Sequence, residues 1–166
     1  MKKITIILLS LILTSSTCYY NDWNYSKYTP ILMTRTELES SIKFLAARDF
    51  NSLAKVYVKG DTIYVTQKYA GVHVINNSNP QSPQKLGFIS IPGCVDIAVK
   101  GKILYADNAV DLISIDISNL NQLIVKERIK NIFPEITPPD NSFIPSKFEE
   151  GNRPANTIII GWELKH

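Results

Sequence analysis

Few residues of this sequence have the type and spacing that chemistry requires. Four acidic residues fall within one short stretch, namely Asp96, Asp107, Asp111 and Asp116. Paired carboxylates can serve acid–base chemistry or hold calcium through oxygen ligands. The stretch lacks the Asp-x-Asp-x-Asp-Gly run of an EF-hand loop, and the last three lie at the ends of predicted strands. Aspartate there normally accepts hydrogen bonds from turn N–H groups, so turn chemistry is the main interpretation and a metal or catalytic site the alternative.

One histidine and one cysteine complete the candidates within the folded part. His73 lies in a predicted strand between Val72 and Val74, so alternation places it on the opposite face, towards solvent or a channel wall. No second His or Cys is spaced to complete a zinc site, and we expect a satisfied or exposed strand histidine. Cys94 starts a probable strand, where a small buried thiol fits well.

Composition and motifs argue against several classes of protein. The 18 basic and 15 acidic residues leave a net charge of +3, with no concentrated basic stripe, so we expect no nucleic-acid partner. The sequence contains no Gly-x-Ser-x-Gly motif and no phosphate-binding glycine loop. We therefore assign no catalytic residue, no metal ligand and no cofactor.

The N-terminus has the pattern of an export signal. Lys2 and Lys3 precede the apolar run Ile4–Leu13, which is too short to span a membrane, and Thr14–Thr17 lead into Cys18. A cysteine at that place resembles a bacterial lipobox, although Thr17 and Ser15 depart from the usual residues. The pattern predicts a lipoprotein-type signal peptide over 1–18, lipidation of Cys18 and an outer-membrane address in the cell envelope. The alternative is ordinary signal-peptidase cleavage nearby, which leaves Cys18 as a free thiol.

The remaining chain changes from a helical to a strand pattern. Residues 19–35 are predicted to be a tether, and 36–53 a short helix with its lead-in. The helix is placed near 36–46, with Thr36 and Glu39 as a capping box. From residue 54 the apolar period is two. Strands are predicted at 54–58, 62–66, 71–75, 85–90, 95–99, 103–106, 111–116 and 123–129.

The eight strands form two copies of one unit. Val58-Lys59-Gly60 returns as Val99-Lys100-Gly101 at an offset of 41, and Ile75 returns as Ile115 at an offset of 40. Tyr64 and Tyr105 are also equivalent, so we expect both to pack between units, and both turn glycines to have φ above zero. Four strands in about 40 residues is the size of a propeller blade.

The copies resemble the LVIVD-repeat family in the stretches YVKGDTIYVTQKYAGVHVINNSNPQSPQKLGFISIPG (57–93) and VDIAVKGKILYADNAVDLISIDISN (95–119). The resemblance implies propeller-like β repeats in an exported lipoprotein, and it implies no reaction. The predicted fold is all-β: a partial β-propeller of about two four-stranded blades (54–130) plus a strand, with one short N-terminal helix. A proline-rich insertion (131–156) separates the blades from a terminal strand (157–166). Because two blades cannot close a ring, we expect either truncation, which we favour, or open edges covered by another chain.

Two functions remain open on this sequence. The first is a non-catalytic, membrane-anchored envelope protein that presents a β-repeat surface to a protein or glycan partner. The second is a propeller-type hydrolase whose central metal or acidic site is lost or incomplete in this chain. The first is preferred because no catalytic site assembles, and His73, Asp96, Asp107 and Asp111 stay only as weak candidates.

Overall fold

The computed structural model of the protein describes residues 26–165. The predicted signal peptide and Cys18 therefore lie outside the described residues, as does His166. The described chain is built of antiparallel strands in three sheets of five, four and two strands. This confirms the all-β class with two propeller-like β repeats.

The first sheet contains the first repeat. Its strands are β3 (Leu53–Lys59), β4 (Thr62–Gln67), β5 (Gly71–Asn76) and β6 (Gln84–Ser90), joined as consecutive hairpins. A fifth strand, β2 (Lys43–Leu45), pairs with the outer edge of β6, giving the order β2-β6-β5-β4-β3. We expected four strands in this sheet, and it contains five.

The second sheet contains the second repeat and has four strands. They are β7 (Ile97–Lys100), β8 (Ile103–Asn108), β9 (Asp111–Asp116) and β10 (Ile124–Ile129), in the order β10-β9-β8-β7. The predicted strands agree with these bounds to within about two residues, because Val, Ile and Tyr at alternate positions fit a pleated, half-buried surface.

Because the two repeats are in register, each face of the first sheet has an equivalent face in the second sheet. We call the face with Tyr64 in the first sheet, and Tyr105 in the second, the tyrosine face. The opposite face, with Val58 in the first and Val99 in the second, is the valine face. The tyrosine face of the first sheet packs on the valine face of the second in the main hydrophobic core. That core contains Tyr64, Val72, Val74, Ile89, Ile91, Cys94, Val99, Leu104, Ala106, Ile113 and Ile115.

Polar contacts align the two sheets along their neighbouring edge strands, β3 and β7. The Tyr57 hydroxyl donates to the Val99 carbonyl (2.9 Å), and Lys59 Nζ donates to the Gly101 carbonyl (2.5 Å). Lys55 forms an exposed ion pair with Asp96. Because Lys55, Tyr57 and Lys59 alternate along β3, one side of that strand holds the second sheet in register.

The third sheet corrects two expectations. Strand β1 (Tyr28–Thr34) pairs with β11 (Thr157–Leu164), so the tether predicted over 19–35 is wrong from residue 28 onward. The terminal strand is likewise paired rather than open. A period of two is present in both segments, but sequence separation hides which distant strand is the partner.

The small sheet packs against the turns at one end of the repeats. Ile158 and Ile160 of β11 join Leu38, Ala109 and Val110 in a second, smaller core. The Trp162 indole donates to the Ile136 carbonyl (2.8 Å), which ties the proline-rich segment to the same sheet.

The only α-helix in residues 26–165 is shorter than expected and begins earlier. Helix α1 spans Arg35–Glu39, and its capping box is formed by Thr34 and Glu37 instead of Thr36 and Glu39. The helix ends at Ser40, whose hydroxyl bonds to the Thr36 carbonyl at 3.0 Å. Such side-chain bonds compete with helix continuation, and pairing of β2 with β6 then makes the following residues extended.

The predicted proline-rich insertion contains only a short 3-10 turn, at Ser146–Phe148. Its Asn141 and Gly151 have positive φ, as expected of an irregular surface segment. Across residues 26–165, no helix has the length and apolar character needed to cross a bilayer.

The two turn glycines confirm the repeat register. Gly60 has φ of +53° and Gly101 of +61°, so both lie in the left-handed region, which favours glycine. Each follows an edge strand of its sheet, β3 or β7, and opens the hairpin to the next strand. The equal conformation at an offset of 41 shows that the sequence repeat is a structural repeat.

Candidate functional site

The tyrosine face of the second sheet is an uncovered counterpart of a buried surface. In the first sheet this face is covered by the second sheet, and Tyr64 is 7% exposed; its equivalent, Tyr105, is 38% exposed. The same contrast separates Ile89, fully buried, from Ile129, which is 45% exposed. The expectation that both tyrosines pack between repeats is therefore confirmed for Tyr64 and wrong for Tyr105, because the described chain places no third sheet on that face.

The shape of this face is a shallow apolar depression. A concavity of about 280 Å³ is lined by Ala98, Tyr105 and Leu112, with Phe133 at its margin. Asp96 and Asp107 lie at its rim. An apolar surface bordered by polar groups is typical of protein interfaces.

His73 lies in the first sheet on the valine face, opposite Val72 and Val74 as predicted, but it faces neither solvent nor a channel. It is 1% exposed, and its Nε2 bonds to Gln67 Oε1 at 3.1 Å. The imidazole contacts Phe88 and Phe50 edge-on at 4.9 and 4.8 Å. Burial, with the charges of Arg48 and Lys85, lowers the pKa of His73, so the ring is held neutral as a core side chain.

Asp96 and Asp107 bind backbone N–H groups, the interpretation favoured from the sequence. Asp107 Oδ1 accepts from the N–H groups of Val95 and Asp96 at 2.9 and 2.8 Å, and Asp96 accepts from Ile97 N–H at 2.8 Å. Burial raises the pKa of Asp107, although these bonds partly oppose the shift. The pKa of Asp96 is lowered, chiefly by its bond to Lys55. Both carboxylates thus fix the entry into β7.

Asp111 departs from the turn interpretation. Its side chain is fully buried and accepts from Arg35 Nη1 (2.8 and 2.6 Å), Arg128 Nη1 (2.7 Å) and Asn131 N–H (3.0 Å). Burial alone would raise the pKa of Asp111, but the hydrogen bonds from Arg35, Asn131 and Arg128 outweigh it, so the pKa lies below its usual value. The carboxylate is the centre of a structural ion network that joins α1 to the second sheet.

The network extends through Asn108. Its Oδ1 accepts from Arg128 Nη1 (2.7 Å), and its Nδ2 donates to the Pro92 carbonyl (2.6 Å). Arg128 Nη2 is buried without a hydrogen-bond partner among the described residues. Arg35 and Arg128 were missed in the sequence, since an isolated arginine 76 or 17 residues from its aspartate has no local signature.

Cys94 confirms the expectation of a small buried thiol. It is fully buried in the main core, and burial, followed by the nearby Asp107 charge, raises its pKa well above the usual value. A thiol held protonated is a poor nucleophile, so this side chain serves packing.

A cavity of about 470 Å³ lies beside the ion network, and its lining includes Arg35, Glu135 and Arg153, which are already held in ion pairs. Arg153 binds Glu135, and Arg35 binds Asp111. Among residues 26–165, no three His, Cys, Asp or Glu side chains lie close enough together to hold a metal ion. Of the sequence-predicted candidates, only Asp96 and Asp107 lie side by side. His73 lies in the first sheet, and Asp111 lies in the separate ion network.

Comparison with known proteins bears directly on the repeats. The family model described as the LVIVD repeat matches this chain twice, over residues 53–88 and 94–131. The chain contains two LVIVD repeats. No curated protein and no solved structure shows significant similarity to it.

The LVIVD boundaries coincide with the two equivalent sheets. The first match runs from the start of β3 into β6, and the second covers β7 to β10. Strand β2, helix α1 and the β1–β11 sheet lie outside both matches. The open tyrosine face belongs to the second LVIVD repeat itself.

Proposed function

We propose that this protein is a non-catalytic, membrane-anchored envelope protein that binds a protein partner through the tyrosine face of its second LVIVD repeat. The observation that carries the proposal is the contrast between equivalent residues. Tyr64 is covered by a neighbouring sheet, whereas Tyr105, at the same repeat position, lies open beside Leu112 and Ile129.

The chemistry of the face favours a protein over a glycan. Ala98, Tyr105, Leu112 and Ile129 supply its apolar surface, and Glu127 is the charged side chain beside Tyr105 and Ile129. Burial of apolar area contributes about 25 cal/mol per Å², so a flat partner surface would gain most from the centre of this face. Tyrosine is also enriched where interfaces concentrate their binding energy.

Export and lipid anchoring at Cys18 complete the proposal and rest on the N-terminal pattern of Lys2, Lys3, the apolar run Ile4–Leu13 and the following cysteine. An anchored chain would hold its open face at a fixed height above the membrane, where two-dimensional confinement raises the effective concentration of a partner. The same proposal includes localisation to the bacterial outer membrane.

One experiment tests both halves with separate readouts. Cells would produce the chain with a photo-crosslinking amino acid at position 105 and would be fed an alkyne fatty acid. We expect a crosslinked adduct that also has the lipid label, since the face is occupied and the chain is acylated. The Cys18→Ala variant should lose the label, and the crosslinker moved to exposed Gln81 should give no adduct.

The two halves of the proposal, lipid anchoring and the binding face, can be refuted separately. Equal labelling of the parent and the Cys18→Ala variant would refute anchoring at that residue. Equal adduct yields from positions 105 and 81 would refute the binding face and leave the lipid result intact. Stoichiometric metal in the purified protein would instead favour the hydrolase alternative.

A further inference from the structure

The two outward faces of the repeat pair differ from each other in a complementary way. At the end formed by the second sheet, the open surface is a tyrosine face. At the end formed by the first sheet, the open surface is a valine face, where Val58 is 60% exposed although its equivalent, Val99, is 5% exposed. The interface between the two repeat sheets joins these same two kinds of face.

The exposed valine face is covered only in part. Arg48 lies over the Phe88 ring at 3.5 Å, and Phe50 contacts His73, so residues 48–50 close the half of the face near β6. Val56 and Val58 on β3 stay exposed. The uncovered half contains Val58, whose equivalent in the second repeat, Val99, lies at the centre of the internal interface.

One polar contact of the internal interface has a counterpart at the free ends. Lys59 donates to the Gly101 carbonyl across the interface, and Lys100 occupies the position of Lys59 in the second repeat. Gly60 has the same left-handed turn conformation as Gly101 and stands at the exposed valine face. The tyrosine face of one copy can therefore pack on the valine face of another as the first sheet packs on the second within the chain. In that arrangement both the apolar residues and the Lys100–Gly60 pair would match.

We infer that the partner of the tyrosine face is a second copy of this chain, bound head to tail through its exposed valine face. This inference rests on the proposed function and names the partner of the same surface. Repetition of one such interface generates a ring when the rotation closes. Propellers have about four to eight blades, so two to four copies of a two-repeat chain would complete one.

The test uses two single variants of the whole chain, each altered on an exposed side chain. Tyr105→Lys places a charge in the tyrosine face, and Val58→Lys places one in the valine face. Phe143→Lys, on a strongly exposed apolar residue of the proline-rich segment, is the matched control. Circular dichroism melts would establish that all three variants retain the fold.

Light scattering after size exclusion gives the readout. We expect the parent and the Phe143→Lys control to have two to four times the monomer mass, and each face variant alone to be monomeric. An equimolar mixture of the two face variants should form a dimer, because each keeps the surface that the other has lost. A head-to-tail interface alone predicts this recovery.

Three results would overturn the inference. A monomeric parent at high concentration would do so. So would an oligomer that Tyr105→Lys disrupts and Val58→Lys leaves unchanged, since that pattern describes a symmetric contact between two tyrosine faces. If the adduct from position 105 contains a different protein while the parent is monomeric, the binding face stands and the self-assembly is refuted.

Discussion

Replacing Asp111 by asparagine is expected to lower the free energy of unfolding by about 3–5 kcal/mol, the range for removing one partner of a buried ion pair. The carboxylate is fully buried and neutralises both Arg35 and Arg128. Asparagine keeps the size of the side chain but leaves the largely buried Arg128 and the partly buried Arg35 without their charge partner. Urea unfolding followed by circular dichroism measures the change.

Asp116→Asn is the matched control for this prediction. Asp116 lies at the other end of the same strand, β9, where its side chain accepts from Ser118 N–H at an exposed turn. The control should therefore unfold close to the parent. If Asp111→Asn were as stable as the control, the network would contribute nothing to the fold.

The same network predicts an acid dependence. The pKa of Asp111 is lowered in the folded state, so its stabilisation is present above the unfolded pKa of about 3.9 and is lost as pH falls through the folded value. The parent should therefore lose part of its stability below about pH 4, and the Asp111→Asn variant should lose less over the same range.

Gly71→Ala is expected to destabilise the fold by about 3 kcal/mol or more, because backbone strain at a positive φ combines with a steric clash of the added Cβ. Gly71 has φ of +139°, and a Cβ built there would lie 2.0 Å from the Ile89 carbonyl oxygen and 2.8 Å from Ile91 N. The backbone of β6 would have to move away, and this would weaken its pairing with β5 in the first sheet. The urea midpoint and slope report the loss.

Gly101→Ala separates the two penalties. Gly101 is also left-handed, with φ of +61°, but nothing lies within 4 Å of an added Cβ. Backbone strain alone is expected to cost about 1–2 kcal/mol. Equal losses from the two alanines would show that the close approach of Gly71 to β6 is absent from the folded protein.

The repeats could be predicted from sequence because their information is local. Alternation of apolar residues sets each strand, Lys-Gly turns mark the hairpins, and the return of Val58-Lys59-Gly60 as Val99-Lys100-Gly101 fixes the register. The change of offset from 41 to 40 also has a structural cause. The β4–β5 hairpin has three residues between Gln67 and Gly71, whereas the β8–β9 hairpin has two between Asn108 and Asp111.

The parts that sequence reasoning missed depend on distant partners. Tyr28–Thr34 is too short to reveal whether it is a tether or a strand until β11, more than 120 residues later, pairs with it. Leu38, Ile42 and Leu45 have helical spacing, yet Leu45 pairs with Phe88 in a sheet. Asp111 has the position of a turn residue, and only packing of α1 against the second repeat makes it the centre of an ion network.

The central claim is that one face is covered in the first repeat by a neighbouring sheet and in the second by a binding partner. Tyrosine nitration of the unmodified protein, mapped by mass spectrometry, tests it directly, because Tyr64 and Tyr105 are equivalent. In the purified chain, diluted until light scattering shows a monomer, Tyr105 should be nitrated and Tyr64 protected; in intact cells, both should be protected. Equal nitration of Tyr105 in the dilute chain and in cells would contradict the claim.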